Sequence, residues 1–154
     1  MSRQPGRVMV VLAAALAFVL GFAIPAAATI DYSDRWTLRT TSGITFTNQA
    51  RVENEGNTSS SETTTYASST APTGWMGSEP RLLYSNGALC ETGGMSYSGS
   101  SLNFLRRTLL YGGSADIGQC GDGYFYAKGK SAVWHGSGYS YYYTHRTINV
   151  YMID

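Results

Sequence analysis

The pattern of apolar and polar positions divides this chain into two unlike parts. Val8 to Ile24 run almost without a polar side chain, whereas the rest shows short apolar runs interrupted by Gly, Ser, Thr or Asn. A continuous apolar run predicts a helix that is buried or lies in a membrane. Short, punctuated runs predict strands joined by tight turns.

The N-terminal run has the flanks of a secretory signal peptide. Arg3 and Arg7 precede it, Pro25 ends it, and the small residues Ala26-Ala27-Ala28 follow. This order predicts export with cleavage near Ala28, so that residues 1–28 are removed. A membrane anchor is the alternative, but the run is shorter than the roughly 20 residues that span a bilayer. With no Cys near the cut and no apolar C-terminal tail, we expect release without a stable membrane anchor.

The remaining residues, 29–154, are long enough for one domain. Trp36–Thr40 and Ile44–Thr47 predict strands within an N-terminal region, residues 29–53, with Thr41-Ser42-Gly43 as their turn.

A Ser/Thr-rich segment follows at residues 54–73, with Tyr66 as its only aromatic anchor. Such a composition buries little apolar surface, so it predicts a loop or linker, or else a polar edge strand with exposed Thr.

Residues 74–154 are denser in aromatic residues. Asn86-Gly87 separates the apolar runs Arg81–Ser85 and Ala88–Glu91, which predicts a hairpin. Leu102–Tyr111 fits either a strand or a helical turn.

After Cys120, three runs separated by glycines predict an antiparallel meander: Tyr124–Lys128, Ser131–His135 and Tyr139–Tyr151. The expected fold is therefore all-β, a small antiparallel sandwich or barrel-like meander.

The charge and the two cysteines reduce the number of functions that the chain could have. Removal of Arg3 and Arg7 leaves nine basic residues against ten acidic ones, so no strong field attracts nucleic acid. Cys90 and Cys120 are both in the exported part, where an oxidising environment predicts a disulfide. A catalytic thiol is the alternative, and a metal site would need further ligands from His135 and His145. We predict neither a metal nor a cofactor.

Several short segments of the second half form a recognisable order. They are Gly74–Gly77, Arg81–Tyr84, Gly87–Cys90, Cys120–Phe125, Gly129, Trp134–Gly136, Tyr139 and Tyr143–Arg146. In this order they resemble a group of small secreted actinobacterial proteins of unknown function. The likeness covers roughly Gly74 to Thr147 and includes both cysteines, so it implies export and the disulfide but assigns no activity.

Aromatic side chains near the C-terminus are the best candidates for a binding surface. On a strand, Tyr139, Tyr141 and Tyr143 share one face and Tyr142 takes the other. With Trp134 they predict a binding face for an extracellular carbohydrate or protein.

Two other functions remain open. A small secreted hydrolase such as a ribonuclease would need an acid, a base and an anion stabiliser, but the spacing of the candidates matches no such family, and we assign no catalytic residue. The candidates are Glu79, Glu91, Arg81, Arg107, His135, His145 and Arg146. The other alternative is a secreted antibacterial effector or a protease inhibitor. An inhibitor would use the loop closed by Cys90 and Cys120, with Arg106 or Arg107 at the contact.

Overall fold

The computed structural model describes residues 28–55, 59–111 and 120–152. These residues form thirteen β-strands and no helix, and all strand pairs are antiparallel. The all-β prediction is confirmed. The predicted signal peptide lies outside the described residues, apart from Ala28 at its end.

The strands form one long sheet and two smaller ones. The long sheet has the order β1-β3-β4-β9, with β2 also paired to β3; its strands are β1 (Thr29–Tyr32), β2 (Trp36–Thr41), β3 (Ile44–Asn54), β4 (Ser59–Ala71) and β9 (Leu102–Tyr111). The β10 sheet has the order β13-β10-β6-β7 and comprises β6 (Arg81–Tyr84), β7 (Leu89–Thr92), β10 (Gly123–Ala127) and β13 (Val150–Met152). The β11 sheet has the order β12-β11-β5-β8 and comprises β5 (Met76–Glu79), β8 (Ser96–Tyr97), β11 (Lys130–Trp134) and β12 (Tyr139–Tyr143).

One face of the long sheet packs against both smaller sheets. Against the β10 sheet it forms a cluster of buried side chains, among them Val52, Leu82, Tyr111 and Phe125. Against the β11 sheet it forms a second cluster centred on Phe46, Met76 and Val133. Alternating positions of β3, from Phe46 to Val52, contribute to both clusters because successive side chains of a strand point to opposite faces.

The Ser/Thr-rich segment differs from its prediction. Residues 59–71 form β4, a central strand whose first seven residues are all buried. Its hydroxyls replace the missing apolar surface by bonding to the facing sheets. Ser61 Oγ donates to the carbonyl of Arg81 (2.8 Å), and Thr65 Oγ1 lies 2.8 Å from the carbonyl of Gly77. On the outer side, Glu62 is paired with Arg106 at 3.2 Å.

Both predicted hairpins form, with different turns. Between β2 and β3, Ser42 and Gly43 have φ angles of 49° and 78°, as a two-residue turn with both central residues at positive φ requires. Between β6 and β7 only Gly87 has a positive φ (92°). Gly87 N donates to Tyr84 O and Tyr84 N donates to Ala88 O, which is a three-residue loop ending in a glycine bulge. The register therefore differs from that of a two-residue turn, and Leu83 pairs with Leu89.

Two further expectations are settled by the strand pairing. Leu102–Tyr111 is strand β9 and not a helical turn. The meander prediction is wrong in part, because β11 pairs with β12 but β10 pairs with β6 and β13. The chain passes from one small sheet to the other at Lys128-Gly129, where Lys128 N donates to the Arg81 carbonyl and Thr144 N to the Gly129 carbonyl.

The predicted disulfide is present. Cys90 in β7 is bonded to Cys120, with their Cα atoms 5.8 Å apart and a sequence separation of 30. Both half-buried cysteines pack against the cluster under the β10 sheet. With both cysteines paired, the chain has no free thiol for nucleophilic catalysis.

We expect Gly129→Ala to destabilise the fold strongly. A Cβ at this position would lie 2.7 Å from Thr63 Cβ and 2.8 Å from the carbonyl oxygen of Glu79, neither of which is the free end of a flexible side chain. Overpacking of this kind costs about 1–3 kcal/mol or more in the free energy of unfolding. Gly99→Ala is the matched control because its Cβ meets nothing within 4 Å. Equal urea midpoints for the two variants would contradict the close approach of Gly129 to Thr63 and Glu79.

The double variant Cys90→Ala/Cys120→Ala should lose about 3–4 kcal/mol of unfolding free energy, since the cross-link restricts the unfolded chain. Urea denaturation measures this loss. A reducing agent should lower the midpoint of the unmodified protein and leave that of the double variant where it is. If reduction leaves the unmodified protein's midpoint unchanged as well, the disulfide does not stabilise the fold.

Candidate aromatic binding face

The outer face of the β11 sheet carries the predicted aromatic residues. In the pairing of β11 with β12, Trp134 lies opposite Tyr139, Ala132 opposite Tyr141 and Lys130 opposite Tyr143. Their neighbour Tyr142 lies on the other side, where it packs against the second apolar cluster. The structure thus brings the four rings of Trp134, Tyr139, Tyr141 and Tyr143 onto one face, here called the aromatic face.

Two small residues shape the middle of the aromatic face. A row across the sheet runs from Tyr141 through Ala132 and Gly77 to Tyr97 on β8. Because Ala132 and Gly77 leave space, the two tyrosines lean towards each other and their hydroxyl oxygens lie 3.2 Å apart. A Cβ on Gly77 would lie only 2.9 Å from Ala132 Cβ. Tyr97 was missed by the sequence reasoning, since it belongs to a two-residue strand.

The rings also hold one another in place. The Tyr139 ring lies 4.7 Å from that of Tyr97 and 5.2 Å from that of Trp134, measured between centroids. The Tyr139 hydroxyl donates to the carbonyl of Gly74 at 2.6 Å. Tyr141 and Tyr143 are each 52 % exposed. In the aromatic face, Tyr139 is therefore held in place by its neighbours, whereas the rings of Tyr141 and Tyr143 are accessible to a ligand.

Charged groups border the aromatic face beside Tyr141 and Tyr143. Lys130 Nζ lies 4.8 Å from the centroid of the Tyr141 ring, and the Arg81 guanidinium lies 5.2 Å from that of Tyr143. Glu79 lies between these two cations, 3.6 Å from Arg81 and 4.0 Å from Lys130. The positive charge at this border is therefore partly neutralised within the chain.

A cavity lies at each end of β12. One, of about 320 Å³, is lined by Thr73, Gly74, Trp75, Trp134 and Tyr139. The other, of about 370 Å³, is lined by Trp36, Lys128, Tyr143, Thr144, His145 and Arg146. Tyr139 and Tyr143, which border the two cavities, are about 13 Å apart along the strand at its usual rise per residue.

The candidate hydrolase residues do not all converge on one cavity, although His145 and Arg146 line the same cavity and Glu79 lies 3.6 Å from Arg81. His135 lies in the turn before β12 and His145 beyond its other end, so the five residues of β12, about 16 Å of strand, separate them. Burial raises the pKa of Glu91, but Glu91 belongs to β7 in the β10 sheet. In the described ranges, no group of three His, Cys, Asp or Glu is placed to hold a metal ion.

In the part of the chain that the structure describes, the arginines of the inhibitor hypothesis do not lie on a protruding loop. Arg106 and Arg107 lie within β9, paired with Thr64 and Thr63 of β4. β9 is an edge strand of the long sheet, and a paired strand is not the exposed loop that a protease inhibitor inserts into an active site. The aromatic face is the arrangement that the described residues support best.

Comparison with protein-family models, with curated proteins and with solved structures finds no match for this chain. Among the residues that the structure describes, none form a helix of the length and hydropathy needed to cross a bilayer.

Titration of Tyr97 tests the geometry of the aromatic face. The hydrogen bond with Tyr141, together with burial, raises the pKa of Tyr97 to about 12. Because the raised pKa favours the neutral form in the folded state, the corresponding stability is fully present below the ordinary pKa of about 10. It is lost as pH rises from there through about 12.

We expect Tyr141→Phe to move the ionisation of Tyr97 to lower pH, since the bond to the neighbouring hydroxyl is removed. Phenolate absorbance measures this shift, and Tyr124→Phe, which removes an exposed tyrosine elsewhere, is the control. Identical titration curves for the two variants would show that the two hydroxyls do not interact.

Proposed function

We propose that this protein is a secreted, non-enzymatic domain that binds an extracellular carbohydrate through its aromatic face. The observation that carries the proposal is the placement of Trp134, Tyr139, Tyr141 and Tyr143 on one outer sheet face. Exposed aromatic surface on a small domain is a common mark of a recognition site.

The chemistry of the aromatic face favours a sugar over a protein partner. A pyranose ring has one face of C–H groups, which packs on an aromatic ring, and a rim of hydroxyls, which exchange hydrogen bonds with tyrosine hydroxyls and charged side chains. Tyr97, Tyr141 and Tyr143 offer both kinds of contact. A protein interface would instead have a central apolar anchor in a desolvated pocket, whereas the residues between the rings of Tyr141 and Tyr97 are Ala132, with only a methyl group, and Gly77, with no side chain.

Export is the second part of the proposal. The N-terminal pattern of Arg3, the apolar run and Ala26–Ala28 supports it, as does the resemblance to small secreted actinobacterial proteins. The Cys90–Cys120 disulfide is compatible with an oxidising environment. A disulfide-linked domain without a free thiol suits a protein that works outside the cell.

Retention on polysaccharides tests the proposal. The protein is mixed with a panel of insoluble polysaccharides, and the bound fraction is compared with that of Tyr141→Ala/Tyr143→Ala. We expect this double variant to bind at least about tenfold more weakly, equivalent to about 1.4 kcal/mol, because it removes the two most accessible rings of the aromatic face.

The matched control is Tyr124→Ala/Tyr151→Ala, which removes two tyrosines exposed by 59 % and 46 % on the β10 sheet. This control should bind as the unmodified protein does, and thermal unfolding should show all three proteins folded. Retention on no polysaccharide, or equal loss in both double variants, would overturn the proposal. Binding of a purified protein through Tyr141 and Tyr143 in place of any glycan would assign the aromatic face to a protein partner.

A further inference from the structure

The cavity at the Tyr143 end of β12 is both aromatic and basic, and is here called the basic pocket. The Trp36 ring is 49 % exposed and contacts the His145 ring edge-on at 5.0 Å between centroids. Across the cavity, Lys128 Nζ lies 5.6 Å from the centroid of the Tyr143 ring. The volume of about 370 Å³ falls in the usual range of small-molecule sites.

The position of Arg146 is fixed by contacts within the chain. Its guanidinium lies 4.0 Å from the centroid of the Tyr126 ring. Nη2 donates to Asn149 Oδ1 at 2.7 Å, and Nε donates to the carbonyl of Thr147 at 3.4 Å. A cation that is already held in place loses little conformational entropy when it binds an anion.

No acid neutralises the basic pocket from within the described residues. None of their carboxylates lies within 4.0 Å of Lys128, His145 or Arg146. Asp31 Oδ2 accepts its hydrogen bond from the backbone N of Ile148 and not from one of these side chains. Arg81 and Lys130 differ from them, because both are paired with the carboxylate of Glu79. The uncompensated cations create a local positive potential in a chain of near-zero net charge.

We propose that the basic pocket binds the anionic group of an acidic sugar unit, so that the ligand of the aromatic face is an acidic polysaccharide. This inference rests on the proposed function. Tyr143 belongs to both the aromatic face and the basic pocket, so one extended chain can lie along β12 and place a charged unit at the end. Trp36 and Tyr143 contact the sugar ring, while Lys128 and Arg146 bind its carboxylate or sulfate.

Matched soluble ligands test the role of the charge. The affinity for oligogalacturonate is compared with that for its methyl ester, and the affinity for dextran sulfate with that for dextran. We expect the acidic member of at least one pair to bind about tenfold more tightly, as one charge-assisted hydrogen bond provides. A preference confined to the first pair identifies a carboxylate, and one confined to the second identifies a sulfate. Equal affinities within both pairs would overturn the inference.

Substitutions locate the charge effect in the basic pocket. Lys128→Gln and Arg146→Gln should each reduce the affinity for the acidic ligand several-fold more than the affinity for its neutral counterpart. Lys128→Gln keeps the test valid if the loss of the Tyr126 contact unfolds Arg146→Gln. Arg107→Gln, an exposed cation on β9, is the control. An equal reduction by Arg107→Gln would show general charge attraction and contradict a site in the basic pocket.

The NMR signals of His145, which lines the basic pocket, test this inference separately from the proposed function. The chain has two histidines, so their NMR signals can be assigned by His135→Gln. Galacturonate or a sulfated galactose, whichever carries the anion that the polymer pairs identify, should perturb His145 saturably in both the unmodified protein and Tyr141→Ala, whereas galactose should not. Perturbation of His145 together with unchanged polymer binding by Tyr141→Ala would support the basic pocket and count against the aromatic face. An unperturbed His145 would overturn the basic pocket while leaving neutral glycan binding intact.

Discussion

The packing of the long sheet against the two small sheets depends on hydrogen bonds made by the hydroxyl side chains of β4. One long sheet must face two small sheets, and the region between the two apolar clusters is lined by Asn48, Thr63, Thr65, Ser78 and Ser131, all fully buried. Thr65 Oγ1 lies 2.7 Å from both Ser78 Oγ and Ser131 Oγ. Short hydroxyl side chains allow the sheets to approach closely, and the hydrogen bonds among Thr65, Ser78 and Ser131 offset the cost of burying those three groups. Thr63 Oγ1, by contrast, has no hydrogen-bond partner among the described residues.

This polar contact also determines which residues of β11 face outward. Asn48 Nδ2 donates to Ser131 Oγ at 3.2 Å, so Ser131 is held on the inner side. Strand alternation then places Lys130, Ala132 and Trp134 on the outer side. A shift of one residue in β11 would put Trp134 against the long sheet and break up the aromatic face. The hydroxyls of β4 thus support the candidate site from the opposite side of the sheet.

The sequence predicted most of what depends on local pattern. The all-β class, the turn at Thr41-Ser42-Gly43 and the shared face of Tyr139 and Tyr141 follow from residue type and from the period of a strand. The central position of β4 does not, because a Ser/Thr-rich strand has the composition of a loop. Only the carbonyls and hydroxyls of distant strands, such as those that Ser61 and Thr65 contact, make its burial favourable.

The residues of the candidate site fall into the same two groups, those placed by local sequence pattern and those placed by contacts between distant segments. Trp134 and Tyr143 were predictable because β11 and β12 are consecutive strands that pair as one hairpin. Tyr97 and Trp36 were not, since Tyr97 reaches the site through the pairing of β8 with β5 and Trp36 through the contact of its ring with His145, far away in the sequence.

The two ends of the aromatic face differ in charge, and this difference has a consequence for any ligand that lies along it. At the Tyr139 end, the cavity is lined by Trp75, Trp134 and Tyr139 together with Thr73 and Gly74, without an ionisable side chain other than tyrosine. At the Tyr143 end, Lys128 and Arg146 have no carboxylate partner in the described part of the chain. An electrostatic field concentrated at one end attracts negative charge there and not at the other. Stacking on the rings alone would leave a chain free to lie in either direction, and unequal ends of this kind favour one direction.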